Sequence, residues 1–305
     1  MSLSNHHPVV CFGEVLWDVL PGGKMAGGAP VNVAYHLQKL GKSPAVISRI
    51  GSDTMGEELL AVFSKAHIDT SYFQWDKEFP TGKVFAEVRE NNEMHYDIAK
   101  PAAWDYIRWG AGFAQLVRNA GYFVFGSLIT RNKQSKNTLF KCLEAANTKV
   151  LDINMRQPFY NKKTVEELLL KADILKLNLA ELELITGWFN TYSSDKDRIQ
   201  LLKDRFSLNT IIVTKGGDGA TLNIGDEFYN HPGYRVQVAD TVGSGDSFLA
   251  AIISKFIERA PPEEALAFAC ALGALVTSKH GGCPAYQPAD IHNISSPINS
   301  LSFSH

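Results

Sequence analysis

The chain has 305 residues, 45% of them hydrophobic, and its 30 basic and 32 acidic side chains leave a net charge of −2. That is ample apolar material for a large buried core, with no basic excess to neutralise a nucleic-acid backbone. No apolar run reaches the roughly 20 residues that span a bilayer, so neither nucleic acid nor a membrane is expected as a partner. The four cysteines, Cys11, Cys142, Cys270 and Cys283, form no CxxC pair and have no metal-ligand spacing. They read as free thiols in a reducing compartment. "MSLSNHHPVV" carries no apolar signal segment, and a soluble cytoplasmic protein is expected. The histidines are scattered with no H-x-x-x-H pair, so no zinc site is expected.

"VVCFG" (9–13) is a short apolar run ending in glycine and predicts a buried strand. In "APVNVAYHLQKLG" (29–41), Val33, Leu37 and Leu40 recur at helical spacing and Gly41 ends the helix. "PAVISRIG" (44–51) predicts a second buried strand and "TMGEELLAVFSKAH" (54–67) a second helix. This βαβα order is that of a parallel sheet covered by helices. The pattern then changes. "TGKVFAEVRENNEMHYDIA" (81–99) alternates Val84, Ala86 and Val88 with Lys83, Glu87 and Arg89, and "ENNE" supplies a turn. It predicts an antiparallel hairpin with one wet face, standing off the main sheet as an edge ribbon or lid. "WDVLP" (17–21), which precedes a glycine-rich loop, is placed in the same layer.

The α/β rhythm resumes with buried strands at "YFVFGS" (122–127), "KVLDIN" (149–154), "ADILKLN" (172–178) and "TIIVTKG" (210–216). "GATLNIGDEFYNHPG" (219–233) predicts another hairpin, and helices follow at "SGDSFLAAIISKFIER" (244–259) and "PEEALAFACALGALVTSKH" (262–280). The tail "NISSPINSLSFSH" is polar and reads as frayed. Asn154, Arg156, Asn178 and Lys215 fall at or just past strand ends. Ligands of open α/β sheets bind at the carboxyl ends of strands.

"DTVGSGDSFLAA" (240–251) sets two glycines and a serine before an acid and an apolar helix. Backbone N–H groups of such a turn, with the unpaired first amides and positive end of the helix, cradle an anion without any lysine. Asp246 then has two readings, a helix-capping acid or a general base that takes a proton from a substrate hydroxyl. These twelve residues alone do not decide between them. No Walker A motif and no GxSxG elbow is present, since "GGKMAGG" lacks the K-[ST] ending.

"DTVGSGDSF" resembles the C-terminal signature of the PfkB (ribokinase-like) carbohydrate kinases, DTxGAGD, with Ser244 in place of the usual alanine. "GGAPVNVAYHLQKLG" (27–41) resembles the N-terminal signature of the same family, and the two stand in the expected order. An N-x-x-E motif, "NLAE" (178–181), and a G-x-x-G nucleotide loop, "TKGGDGA" (214–220), lie between them. The resemblance covers the chain to about residue 288. Within the family, "GEVLWDVLP" (13–21), "GGAPVN", "AKPAAWDYI" (99–107) and "DINMRQPFY" (152–160) are most similar to fructokinases.

The resemblance implies an α/β, ribokinase-like three-layer α/β/α sandwich with a mostly parallel sheet and a small β lid. Residues 1–305 would form one kinase domain, with the lid drawn from about 14–27 and 72–103. It implies transfer of the ATP γ-phosphoryl group to a sugar hydroxyl, with fructose as acceptor. The alternatives are 2-keto-3-deoxygluconate, ribose or a nucleoside, or a non-catalytic sugar sensor that keeps the fold. By this resemblance Asp246 is the base, and Gly243, Ser244 and Gly245 supply anion-hole amides. Asp18, Gly27, Gly28 and Asn32 would bind sugar, and Arg156 sugar or phosphate.

Asn178 and Glu181 would organise Mg²⁺ and its waters beside the nucleotide, with Thr214, Lys215, Gly216 and Gly219 in the nucleotide loop. Asp240 and Thr241 would help hold a monovalent cation such as K⁺. Each has a plainer local reading: a turn acid for Asp18, a surface asparagine for Asn32, a surface ion pair for Arg156, helix-start decoration for Glu181 and a hairpin turn for "TKGGDGA". A homodimer through the lid is expected, with Phe73, Trp75, Phe79, Phe85 and Tyr96 lining either the sugar pocket or the dimer face.

Overall fold

The structure is a computed structural model that describes residues 7–20, 22–88 and 94–295. The "ENNE" turn with Arg89, the first six residues and the tail from residue 296 lie outside the described residues. The chain divides into two compact units, residues 1–149 with 156–160, and residues 150–155 with 161–305.

The first unit runs β1 (Val9–Phe12), β2 (Leu16–Leu20), β3 (Gly23–Gly27), α1 (Ala29–Lys39), β4 (Ala45–Gly51), α2 (Thr54–Lys65) and β5 (Phe73–Asp76), then β6 (Gly82–Val88), β7 (Met94–Ile98), α3 (Phe113–Asn119), β8 (Tyr122–Gly126) and α4 (Lys133–Ala145). β1 lies between β8 and β4, parallel to both, with Val10 opposite Phe123 on one side and Ala45 on the other. All four residues of β1 and all seven of β4 are buried, as a parallel sheet covered on both faces requires. α2 starts where the Asp53 carboxylate accepts the Gly56 N–H at 2.8 Å.

A separate four-stranded sheet has the order β3-β2-β6-β7. β6 and β7 form the expected antiparallel hairpin, Val84 opposite Ile98. β2 runs parallel to β6 with Trp17 opposite Lys83, so residues 17–20 of "WDVLP" join this layer, and Pro21 lies outside the described residues. Val84 is buried and its neighbour Phe85 exposed, the alternation of a sheet with one wet face. The small sheet is fastened to α2. The Trp17 indole N–H donates to the Met55 carbonyl at 2.9 Å, and Lys24 pairs with Glu58.

Two sequence expectations need correction here. Residues 23–27, read as a glycine-rich loop, form a strand because β2 supplies a full antiparallel ladder, Asp18 opposite Met25. Phe73–Asp76, placed within the lid span, is instead β5, parallel to β4. Its place is held by a buried ion pair between Arg49 and Asp76, Nε to Oδ2 2.6 Å.

The second unit takes β9 (Thr148–Asp152) from Val150 onward and runs through α5 (Lys162–Leu169), β10 (Ile174–Asn178), α6 (Leu179–Gly187), α7 (Asp195–Phe206) and β11 (Thr210–Thr214), then β12 (Ala220–Ile224), β13 (Glu227–His231), α8 (Ser244–Ile257), α9 (Pro262–Thr277) and α10 (Pro288–Ser295). β9, β10 and β11 are parallel neighbours, and β12 and β13 add the antiparallel hairpin expected from 219–233. Asp152, Asn178 and Thr214 are therefore the last residues of three adjacent parallel strands, which brings chemistry-bearing side chains to one sheet end.

None of the four cysteines is in a disulfide, and burial pushes the Cys142 and Cys270 thiols up to about 12. Among the described residues no helix is long and apolar enough to cross a membrane.

Candidate active site

α8 begins at a residue only glycine serves well. Gly243 has φ +73°, and a Cβ there would lie 2.4 Å from Gly282 Cα. The first bond of the helix runs from the Ser247 N–H to the Gly243 carbonyl at 2.8 Å. The amides of residues 244–246 precede it at the positive end of a 14-residue helix. The Ser244 N–H reaches only the Thr241 carbonyl, at 3.4 Å. The N-cap position is Gly243, so Asp246 is not the N-cap; it is the third helical residue and is buried. Ser244, where alanine is usual, ties the loop to α9. Its hydroxyl donates to the Gly273 carbonyl at 3.2 Å and accepts from the Thr277 hydroxyl at 3.0 Å.

Beside this loop lies a buried cation that the sequence reading passed over. Lys176 on β10 stands opposite Asp152 on β9, and its Nζ donates to both Asp152 oxygens, at 2.8 and 3.0 Å. Both side chains are buried. Burial works against the Lys176 charge. The carboxylates of Asp152, Asp246 and Glu181, with the Asp152 hydrogen bond, outweigh it and hold its pKa above the ordinary lysine value. The signal was a lysine inside an otherwise apolar strand, "ILKLN", opposite the acid that ends "KVLD".

Asn178 and Glu181 form a reciprocal cap on α6. The Asn178 side chain accepts the Glu181 N–H at 2.9 Å, and Glu181 Oε2 accepts the Asn178 N–H at 2.9 Å. Glu181 Oε1 accepts the Met155 N–H at 2.8 Å. Burial raises the Glu181 pKa, against the pull of those two amides. Both carboxylate oxygens are thus engaged by backbone. Among the described residues, no group of three His, Cys, Asp or Glu is placed to hold a metal ion. The donor set suits a cation that keeps its water shell and meets Asn178 and Glu181 through it.

The nucleotide-loop candidates close a turn after β11, where the Lys215 N–H donates to the Gly219 carbonyl at 2.8 Å. Gly219, at φ +82°, packs so closely on the His231 carbonyl that a Cβ would lie 1.9 Å from it. Around Gly216 there is open space. Thr214 ends β11, and Lys215 Nζ is paired with Asp195 at 2.8 Å. Asp240 spans two segments, accepting the Val242 and Gly281 N–H groups at 3.0 Å each.

In the first unit, Asp18 on β2 explains Gly27, because a Cβ at that glycine would lie 2.4 Å from Asp18 Oδ2. Gly28 has φ +117°, and a Cβ there would lie 2.4 Å from the Glu14 carbonyl oxygen. The paired glycines first make room for the chain's own acid and backbone. Glu14, not singled out in the sequence, accepts the Ala29 N–H at 3.3 Å at the start of α1. Asn32 is buried, which rules out the surface-asparagine reading. Arg156 is exposed, and its carbonyl accepts the Phe159 N–H at 2.8 Å.

Residues 9–289 match the profile of the pfkB family carbohydrate kinases. The chain is 29% identical over 316 residues to the probable fructokinase-2 of Arabidopsis thaliana, covering 94% of each chain. The fold is similar to that of the fructokinase with bound ATP from Xylella fastidiosa, with TM-score 0.84 and 23% identity over 97% of this chain and 99% of that one. It is also similar to a double-mutant fructokinase from Vibrio cholerae O395 in a fructose, ADP and potassium ion bound form, with TM-score 0.81 and 20% identity over 94% and 98%.

Proposed function

The chain belongs to the pfkB family of carbohydrate kinases, and from that premise we propose that it transfers the γ-phosphoryl group of ATP to a hydroxyl of free fructose, with Asp246 as the general base. It is a phosphotransferase that acts on a sugar hydroxyl. The choice of fructose rests on its fructokinase relatives, such as the Arabidopsis protein. The choice of ATP follows from the ATP-bound Xylella fructokinase. The observation that carries the mechanism is the position of Asp246, buried on the first turn of α8 behind the left-handed Gly243.

In this reading Asp246 takes the proton of the acceptor hydroxyl as its oxygen bonds to phosphorus and the bond to ADP breaks. The amides of Gly243, Ser244 and Gly245, with the positive end of α8, receive the charge on the phosphoryl oxygens. Asp18 accepts from two sugar hydroxyls, and Gly27, Gly28, Asn32 and Arg156 complete the sugar site. Asp18 lies on the small sheet itself, so this sheet would act as a lid that carries a sugar ligand and keeps water from competing for the phosphoryl group.

Thr214, Lys215, Gly216 and Gly219 take the nucleotide. Lys215, in a part-buried pair with Asp195, would leave it for a phosphate, which replaces one charge partner with another. Asn178 and Glu181 would hold Mg²⁺ through its waters, and the ion would supply neutralisation of phosphate charge. Asp240 and Thr241 are the residues for a monovalent cation such as K⁺. Phe85, exposed on β6, is available to a second copy of the chain in a lid-mediated homodimer.

The test is an acceptor panel of fructose, ribose, 2-keto-3-deoxygluconate and a nucleoside, each with ATP and Mg²⁺ and with product regiochemistry determined. Fructose is expected to give the highest kcat/KM. No turnover of fructose beside turnover of another acceptor overturns the substrate assignment.

A further inference from the structure

The pair Lys176–Asp152 is not balanced as an ordinary buried ion pair is. Three carboxylates, Asp152, Asp246 and Glu181, act on one buried ammonium. An ammonium has three donors, and two directions are taken by the Asp152 oxygens.

Gly245 supplies the second observation. It lies inside α8 without a left-handed φ, where alanine would be the better helix former. The nearest atom to a Cβ placed there is Lys176 Nζ, at 2.7 Å. This glycine therefore serves no conformational need of its own. Its missing side chain is the space in which the ammonium sits, directly beside the residue that precedes Asp246.

We propose that Lys176 is a positioning residue for phosphoryl transfer: anchored by Asp152 and lodged against Gly245, its ammonium sets a fixed positive charge behind the amides of the loop that carries Asp246. The role rests on the reading of Asp246 as the base. Asp152 is the anchor, and neither Asp152 nor Lys176 needs to touch the sugar. The charge is held in place before substrate arrives, so it stabilises developing negative charge without reorganisation.

The test removes both members of the pair together, because deleting one would leave a lone buried charge whereas a neutral pair of similar volume is tolerated. The Asp152→Asn/Lys176→Met variant is expected to keep its Tm and a KM for ATP within about threefold of wild type, while kcat falls about 10²-fold. A kcat within about threefold of wild type overturns the proposal, since a purely architectural pair would lose nothing further once both charges are gone.

Should the double variant not fold, Gly245→Ala carries the test. The expected result is a folded protein with a Tm no higher than wild type, because the added Cβ pushes the buried ammonium aside, an unchanged KM for ATP and a kcat about tenfold lower. An unchanged kcat, with or without a raised KM for ATP, overturns the proposal. Asp246→Asn, run alongside with the acceptor that the panel selects, separates the two readings. Wild-type turnover there removes the base assignment itself. An inactive Asp246→Asn beside an active double variant removes only the role of Lys176.

Discussion

The first unit also holds a buried ion pair, and its composition differs from that of Lys176–Asp152. Arg131 donates to Asp105 through Nε at 2.7 Å and Nη2 at 2.9 Å, and to the Ala99 carbonyl at 2.8 Å. Its guanidinium lies 3.8 Å from the Trp104 ring and 4.9 Å from the Phe159 ring. Asp105 in turn accepts the Ala102 N–H at 3.0 Å. One cation meets one carboxylate, and the donors are spent on neighbouring backbone and rings. Such a network fixes the chain after β7 and has no charge left over. Around Lys176 only Asp152 makes direct contact, the charges of Asp246 and Glu181 add to its field, and the first turn of α8 lies beside the ammonium at Gly245. The difference teaches that burial of a pair does not mark a site. The candidate site is set apart by a buried cation that lies against the first turn of a helix.

That contrast can be broken by mutation. The largest stability effect is expected for Arg131→Met, which strands the Asp105 carboxylate and should cost about 3–5 kcal/mol, with the kcat of the folded fraction unchanged. Denaturant unfolding with active-site titration checks it, and a loss of kcat in the folded fraction would make Arg131 part of the site.

Asp53 is a smaller case of the same kind. It accepts the Gly56 N–H at 2.8 Å, the Thr81 N–H at 2.9 Å and the Thr81 hydroxyl at 2.7 Å. Asp53→Ala should cost about 1–2 kcal/mol. Burial opposes its ionisation, but these hydrogen bonds prevail and hold its pKa below the usual 3.8. A depressed carboxyl pKa means that the unfolded chain binds the proton more tightly. The advantage of wild type over Asp53→Ala is therefore full above pH 3.8 and fades as pH falls through the lower folded value. Thermal melts of both proteins across that range measure it.

The smallest effect is expected at Ser244. Its hydroxyl ties the loop to α9, yet the loop works through backbone. Ser244→Ala should keep kcat within about threefold and lose about 1 kcal/mol of stability, read by steady-state kinetics and unfolding.

Most strands and helices were legible because apolar runs and helical spacing report burial directly: "AVISRIG" is β4 and "PEEALAFACALGALVT" is α9. Residues 23–27, though within the expected lid span, were not legible as a strand, and residues 73–76 were not legible as part of the sheet of β4, since a short strand owes its pairing to a partner elsewhere in the chain. The glycine motifs were visible, but their reasons were not. Gly27 answers to Asp18 and Gly245 to Lys176, contacts that exist only once the chain has folded. Lys176 itself stood in plain view within an apolar strand, and the cross-strand register to Asp152 gives it meaning.

The central claim is that Asp246 removes the proton from the acceptor hydroxyl while the first turn of α8 holds the phosphoryl group. Single-turnover kinetics of Asp246→Asn, with sugar binding measured by calorimetry on the same preparation, test it most directly. The account predicts sugar affinity close to wild type and a chemical step slowed about 10²-fold or more; a folded variant that turns over at the wild-type rate contradicts it.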